Sequence, residues 1–147
     1  MVLANCKSAG GYWTFLSGLP PVKGGAGVDS TNSSVALFDC FLWGGMGSHE
    51  TSPGGKGGSG LKINGWGAFL SGTTLHGGGG GAPDYIGCPA GGQGGDGLEV
   101  TSAQVQMLDS PLIPGLGGKN LCGQTAPPGN PFSNNGGILT TLPGEAS

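Results

Sequence analysis

The sequence predicts an all-β fold: a short parallel β-solenoid of about four to five coils, interrupted by long glycine-rich inserts. The first observation is an internal repeat, since residues 54–63 read GGKGGSGLKI and residues 91–100 read GGQGGDGLEV. The second is composition, because 36 of the 147 residues are glycine and only 9% are charged. The third is the alternation of apolar and polar residues after each glycine run, which is typical of strands with one buried face.

Each repeat contains short strands followed by a corner. The triplets Leu61-Lys62-Ile63 and Leu98-Glu99-Val100 alternate in polarity and are bounded by turn residues, as strands should be. Further along each unit, an apolar residue precedes Asp or Ser and then a small residue, which makes Asp39, Ser71 and Asp109 equivalent. We expect the apolar members to form one interior column, listed here: Leu16, Phe38, Leu70 and Leu108. A helix over 102–112 is less favoured, because Pro111 limits it and the repeat partner is rich in glycine.

The chain length predicts a single domain over residues 1–147. The repeats lie near 1–23, 24–53, 54–90 and 91–130, with a partial unit at 131–147. Solenoids need their ends covered, and no capping segment is recognisable at either end. We therefore expect this chain to be a piece of a longer repeat protein, whose partners include neighbouring repeats of that same chain.

The inserts span residues 44–60, 77–97 and 115–137. One interpretation is flexible low-complexity loop. The other is extended, polyproline-II-like segments packed through close backbone contacts that only glycine permits. A true polyglycine bundle requires a regular Gly-X-Y period, which we do not find over any length, so it is the less favoured expectation.

Charge and hydropathy exclude two function classes. Five lysines are scattered along the chain, arginine is absent, and the net charge is −3, which argues against nucleic-acid binding. No apolar run approaches the 18–20 residues of a membrane span, so membrane insertion is not expected.

The four cysteines are Cys6, Cys40, Cys88 and Cys122. Cys88 and Cys122 lie in inserts of adjacent repeats, so stacking predicts a disulfide between them that closes a long loop. Cys40 falls at the position of Ser110 and Gly72, which predicts a small buried thiol, and whether Cys6 pairs with it stays open. No CxxC motif indicates a zinc site. Low charge, abundant glycine and a loop disulfide favour an extracellular or cell-surface location.

Residues 91–99 match a calcium-binding nonapeptide pattern, with Asp96 as the carboxylate ligand. That site needs consecutive nonapeptides, whereas the neighbouring repeat carries Ser59 in place of the aspartate. A tight turn entering a strand is the favoured interpretation, and no cofactor is expected, with calcium at Asp96 as the minor alternative.

Catalytic patterns are weak. His49 and His76 have no partner that would make either a general base, and no GxSxG elbow is present, so both are expected to be exposed loop residues. Asp39 and Asp109 would lie two coils apart, roughly 10 Å by strand spacing, which is close to the span of inverting glycosidases. Turn chemistry at a solenoid corner is the favoured role for both aspartates.

Two aromatic residues are candidates for ligand binding. Trp66 is flanked by glycines, and Tyr85 lies in an insert. Exposed aromatic faces stack on sugar rings, although they also cover small cores. We therefore name Trp66 and Tyr85 as candidate glycan contacts.

The units from Gly60 through Gly72 and from Gly97 through Ser110 resemble the right-handed parallel β-helix repeats of bacterial secreted and cell-surface proteins, the pectate-lyase-like class in a glycine-rich variety. The resemblance implies fold and says little about activity, because the class includes enzymes, adhesins and spacers. The favoured function is a non-catalytic extracellular structural or adhesive segment that presents glycine-rich loops and binds a polysaccharide or cell-surface glycan. The alternative is a fragment of a carbohydrate-active enzyme, a polysaccharide hydrolase or lyase, using Asp39 and Asp109.

Overall fold

The computed structural model describes residues 1–11, 20–49, 51–83 and 86–143, and within these ranges all regular structure is β-strand. The strands are β1 (Val2–Ala4), β2 (Lys7–Ala9), β3 (Val28–Thr31), β4 (Val35–Phe38), β5 (Phe41–Trp43), β6 (Leu61–Asn64), β7 (Gly67–Ser71), β8 (Thr74–His76), β9 (Leu98–Thr101), β10 (Gln104–Leu108), β11 (Leu112–Ile113), β12 (Phe132–Asn135) and β13 (Ile138–Leu142). The predicted helix alternative over 102–112 is thus replaced by strands β10 and β11.

The strands form three parallel sheets, one for each side of a solenoid of about four turns. The orders are β1-β4-β7-β10-β13, β11-β8-β5-β2 and β12-β9-β6-β3. The two glycine-led repeats stack directly, because Leu61 pairs with Leu98 and Ile63 with Val100 in register. The predicted parallel β-solenoid is therefore confirmed.

The core is a set of aliphatic columns inside the three sheets. In the first sheet Leu37, Leu70 and Met107 are in register and buried. Phe38 and Leu108 were expected in this column, and that prediction is wrong by one residue, because both pair with Ser71. Period-two alternation turns Phe38 outward, where its ring packs 5.7 Å from that of Phe69. Leu16 lies outside the described residues.

Two corners of each turn use the left-handed backbone region. At the corner after the first sheet, the stacked residues are Asn5, Asp39, Gly72 and Asp109, all with φ between 44° and 58°. The aspartates therefore share their position with Gly72, which corrects the predicted equivalence with Ser71. Cys40 is likewise in line with Thr73 and Ser110, one residue away from Gly72. The expected corner role of Asp39 and Asp109 agrees with this geometry.

Each insert leaves the second sheet and returns to the third as two extended passes. The outgoing passes are residues 10–11, 44–48, 77–81 and 115–118, and the returning passes are residues 22–25, 54–58, 91–95 and 126–129. We call the two stacked layers together the glycine lattice. One zigzag of bonds through it runs from the amide of Gly58 to the carbonyl of Gly45, from Gly78 to Gly58 and from Gly95 to Gly78, all at 2.7–2.8 Å.

The bonds of the lattice repeat every three residues, the period of a polyproline-II helix. In Gly77-Gly78-Gly79, the first amide donates to Ile113 O in the same layer and the second donates to Gly58 O in the opposite layer. The third residue has no amide acceptor among the described residues and faces outward. The next triplet repeats the pattern, with Gly80 donating to Leu116 O and Gly81 to Gly55 O. The lattice is therefore built largely from Gly-Gly-X triplets, although Ser48, Ala126 and Pro128 occupy positions that neighbouring passes fill with glycine.

Close packing, and not backbone strain, requires glycine here. A β-carbon added to Gly58 would overlap the carbonyl oxygen of Gly25, and one added to Gly78 would overlap that of Gly45. None of these glycines has a left-handed φ. The less favoured expectation of a packed polyglycine arrangement is thus the one observed. The period was missed because each pass holds only one or two triplets before the chain reverses.

The tips of two neighbouring inserts are joined. Cys88 and Cys122 form a disulfide with 5.7 Å between their α-carbons. The buried side chain of Asn120 donates to the carbonyls of Cys88 and Pro89, and its Oδ1 accepts from the amides of Cys122 and Gln124. The predicted Cys88–Cys122 bond is confirmed in this geometry.

Candidate functional site

The outer face of the outgoing passes carries a groove formed by the X positions of the lattice. Backbone bonds from Gly47 to Gly79 and from Gly80 to Leu116 align Met46, Gly79 and Leu116 in one row. Gly79 has no side chain, and a β-carbon there would come no closer than 3.7 Å to Met46 Cε. The missing side chain leaves an open groove of about 560 Å³, which we call the outgoing-face groove.

The row nearest the solenoid supplies an aromatic wall. The rings of Trp43 and His76 stack with centroids 4.6 Å apart and a tilt of 35°, and Phe41 meets Trp43 edge-on at 5.9 Å. Trp43 nonetheless remains 46% exposed. The wall is therefore fixed in orientation and still available to a ligand.

Polar groups lie at both ends of the groove, with His76 in the row nearest the solenoid and His49 and Lys119 in the row nearest the tips. His49 Nδ1 accepts a hydrogen bond from the amide of Ala82 at 3.2 Å, so its Nε2 carries a proton and can donate. His76 Nδ1 lies 2.7 Å from the carbonyl of Gly77, which only accepts, so in the neutral ring its Nε2 is an acceptor. Lys119 adds an ammonium at the far end. The groove thus combines an aromatic face with a donor, an acceptor and a cation.

The sequence-predicted binding residue Trp66 lies elsewhere. It lies in the corner between β6 and β7, has φ of 56° and is 70% exposed. It borders a shallow depression of about 500 Å³ on the outer face of the first sheet, beside Phe69 and Gln104. Tyr85, the other candidate glycan contact, lies outside the described residues.

Asp39 and Asp109 occupy the same corner of turns separated by one intervening turn. The intervening residue is Gly72, and the carboxylate of Asp39 packs against its α-carbon. Both aspartates are exposed on this corner. Among the described residues, no histidine or lysine makes a hydrogen bond or ion pair with either carboxylate.

Asp96, the candidate calcium ligand, is 2% exposed and has protein partners at both oxygens. Oδ1 accepts from the amide of Asn130 at 2.8 Å, and Oδ2 lies 3.3 Å from Lys56 Nζ. Within the described ranges no cluster of three His, Cys, Asp or Glu side chains is arranged to hold a metal ion. The carboxylate therefore ties one returning pass to its neighbours.

A second charged cluster lies where the returning passes meet the third sheet. Glu99 Oε2 accepts from Ser59 Oγ at 2.7 Å and lies 3.0 Å from Lys23 Nζ. Burial by itself would raise the pKa of Glu99, but the hydrogen bond from Ser59 and the ion pair with Lys23 outweigh it and lower that pKa. Glu99 is thus a structural carboxylate that bonds three segments of the chain together.

No protein-family model, curated protein or solved structure matches this chain. The fold and the groove therefore carry the functional argument on their own. In the described part of the chain there is no helix long and apolar enough to cross a membrane.

Sequence reasoning missed the groove. His49 and His76 were expected to be exposed loop residues, yet both are half-buried, His76 ends strand β8, and both line the groove together with Trp43. The spacing of the lining residues indicates the groove. Trp43, Met46 and His49 are three residues apart, and so are His76, Gly79 and Ala82. A three-residue period would have placed these six residues on one face.

Proposed function

We propose that this chain is a non-catalytic structural or adhesive segment of an extracellular or cell-surface protein, and that its outgoing-face groove binds a glycan. The observation that carries the proposal is the Trp43–His76 stack beside a trough whose floor is glycine backbone. Sugars bind proteins by stacking an apolar ring face on an aromatic side chain while hydroxyl groups exchange hydrogen bonds at the edge. The groove supplies both kinds of contact.

Rigidity supports an adhesive role. The groove residues are anchored to passes whose backbone amides bond to neighbouring passes at 2.7–3.1 Å, so little conformational entropy is lost on binding. The disulfide at the insert tips is consistent with an extracellular location. The glycine-rich, secreted variety of the β-solenoid and a polysaccharide partner remain part of this proposal.

The proposal is tested by glycan-array binding of the wild type and two groove variants. Trp43→Ala removes the stacking face and should weaken binding by up to about tenfold, since aromatic contacts are worth about 0.5–1.5 kcal/mol. Gly79→Met fills the trough from a position that has open space and should abolish binding while the melting temperature stays within a few degrees. Trp66→Ala is the matched control and should bind like the wild type.

Three outcomes would decide against this function. If no array glycan binds, or if Gly79→Met binds as well as the wild type, the groove is not the site. If Trp66→Ala alone abolishes binding, the ligand lies on the first sheet. Release of reducing ends from a polysaccharide, lost in Asp109→Asn, would establish the enzyme alternative in place of the adhesive one.

A further inference from the structure

We propose that Cys6 and Cys40 form a second disulfide, which crosslinks the first turn of the solenoid to the second. Their sulfur atoms lie 2.6 Å apart. The two residues directly precede the paired positions Lys7 and Phe41 of neighbouring parallel strands. Strands in a sheet lie about 4.8 Å apart, which falls within the α-carbon separation that a disulfide spans.

The rest of the column shows what the cysteines replace. Thr73 and Ser110 continue it, and each hydroxyl donates to the carbonyl two residues earlier. Each of these hydroxyls also accepts from the backbone amide of the preceding turn, Thr73 from Cys40 and Ser110 from Thr73. The Cys40 thiol likewise donates to the carbonyl two residues earlier, that of Phe38. Its sulfur also lies against Cys6 Sγ. Thiols therefore replace hydroxyls only at the two turns where they face each other.

The first turn stands to gain from a crosslink because its strands are short and weakly buried. Strands β1 and β2 have three residues each, and their two outward residues in each case are exposed. The side chains of Leu3 and Cys6 reach the core but are only partly buried. The proposed bond would span 34 residues, the same separation as the Cys88–Cys122 bond. One crosslink would then secure an end of the solenoid and the other the tips of the inserts.

The chemistry is thiol–disulfide exchange with a small-molecule disulfide as oxidant. One cysteine thiolate attacks the oxidant and releases one thiol, which leaves a mixed disulfide on the protein. The second thiolate then attacks that protein sulfur and releases the second thiol, so that two protons and two electrons leave the pair. Burial and the adjacent Cys40 thiol raise the pKa of Cys6 to about 11, so thiolate is scarce at neutral pH in the folded protein. Bond formation should therefore be fastest while the chain folds or at alkaline pH.

Peptide mapping tests the proposal without any mutation. The chain has five lysines and no arginine, so trypsin places each cysteine in a different peptide: 1–7, 24–56, 63–119 and 120–147. The full chain is refolded with oxidised glutathione, treated with iodoacetamide and digested without reduction. We expect peptide 1–7 linked to 24–56, and the link between 63–119 and 120–147 reports correct folding in the same digest.

Two results would overturn the proposal. The first is alkylation of both 1–7 and 24–56 in a digest where 63–119 and 120–147 are linked. The second is any other partner for Cys6. A stability measurement completes the test, because Cys6→Ser should lower the melting temperature of the oxidised protein by about 5–10 °C. An unchanged melting temperature in that variant would contradict the crosslink.

Discussion

The amide of Gly78 donates to the carbonyl of Gly58 at 2.8 Å, across two chain passes that run in opposite directions. The same Gly78 has no room for a β-carbon, because the carbonyl oxygen of Gly45 lies against its α-carbon. Its neighbour Gly79 is open on its outer side. Of these two adjacent glycines, one excludes a side chain and the other has space for it. Substituting each in turn therefore tests whether the lattice is packed.

Gly78→Ala should destabilise the protein by about 3 kcal/mol or more, because the clash is with backbone that cannot rotate away. Gly79→Ala should fall within about 1 kcal/mol of the wild type, and a small gain is expected from the restricted unfolded chain. Urea unfolding followed by tryptophan fluorescence measures both. Equal effects of the two substitutions would mean that the run is not packed.

The Lys56–Asp96 pair should contribute more than an exposed pair. Lys56→Met leaves the Asp96 carboxylate, whose side chain is 3% exposed, without its counter-ion, and we expect a loss of about 2 kcal/mol. The control is Lys62→Met, which breaks an exposed pair with Asp29 at 3.7 Å and should cost less than about 0.5 kcal/mol. Comparable losses in the two variants, measured by thermal unfolding, would show that burial of Asp96 carries no energetic weight.

Glu99 should make stability depend on acid pH. Because its folded pKa lies below the ordinary value of 4.5, the ionised carboxylate stabilises the fold above that pH, and this contribution is lost as the pH falls through the folded pKa. Glu99→Gln should therefore be less stable than the wild type at pH 7, and the gap should narrow at pH 3. Urea midpoints at the two pH values give the comparison. A gap that stays constant or widens in acid contradicts the assignment.

The corner aspartates should tolerate glycine better than an ordinary strand residue does. Asp109 has φ of 44°, which costs an L-residue free energy that glycine avoids, so Asp109→Gly should be neutral or stabilising by up to about 1 kcal/mol. Asp29 lies within strand β3, where Asp29→Gly should destabilise by about 0.5–1 kcal/mol. Differential scanning calorimetry distinguishes the two. A clear loss of stability in Asp109→Gly would indicate that the carboxylate of Asp109 stabilises the fold by more than its left-handed backbone costs.

The solenoid could be predicted from the sequence because the pattern that indicates it lies within a few consecutive residues. Alternation in Leu61-Lys62-Ile63 and its repeat in Leu98-Glu99-Val100 define strand, face and register together. The predicted register was wrong by one residue at Phe38 and Leu108. The cause was the alignment of Asp39 and Asp109 with Ser71, which was based on residue type. The strand register, which pairs Phe38 with Ser71, and the left-handed backbone of the corner show that Asp39 matches Gly72.

The groove could not be predicted by the same reasoning. Its walls depend on how separate passes align, and that alignment comes from backbone bonds such as Gly47 to Gly79, in which no side chain takes part. Glycine carries no polarity pattern, so periodicity arguments based on side chains find nothing in these segments. The contact between Cys6 and Cys40 could be predicted only in part. Both cysteine pairs are 34 residues apart, which suggests stacking but does not identify the partner of Cys6.

Amide hydrogen exchange tests the glycine lattice most directly, residue by residue. The amides of Gly58, Gly78 and Gly95 donate to opposing passes and should exchange as slowly as those of the core strands. The amides of Met46, Gly79 and Gln93 make no hydrogen bond among the described residues and should exchange orders of magnitude faster. Uniformly fast exchange of all six amides would contradict the account, because the inserts would then be unstructured loops.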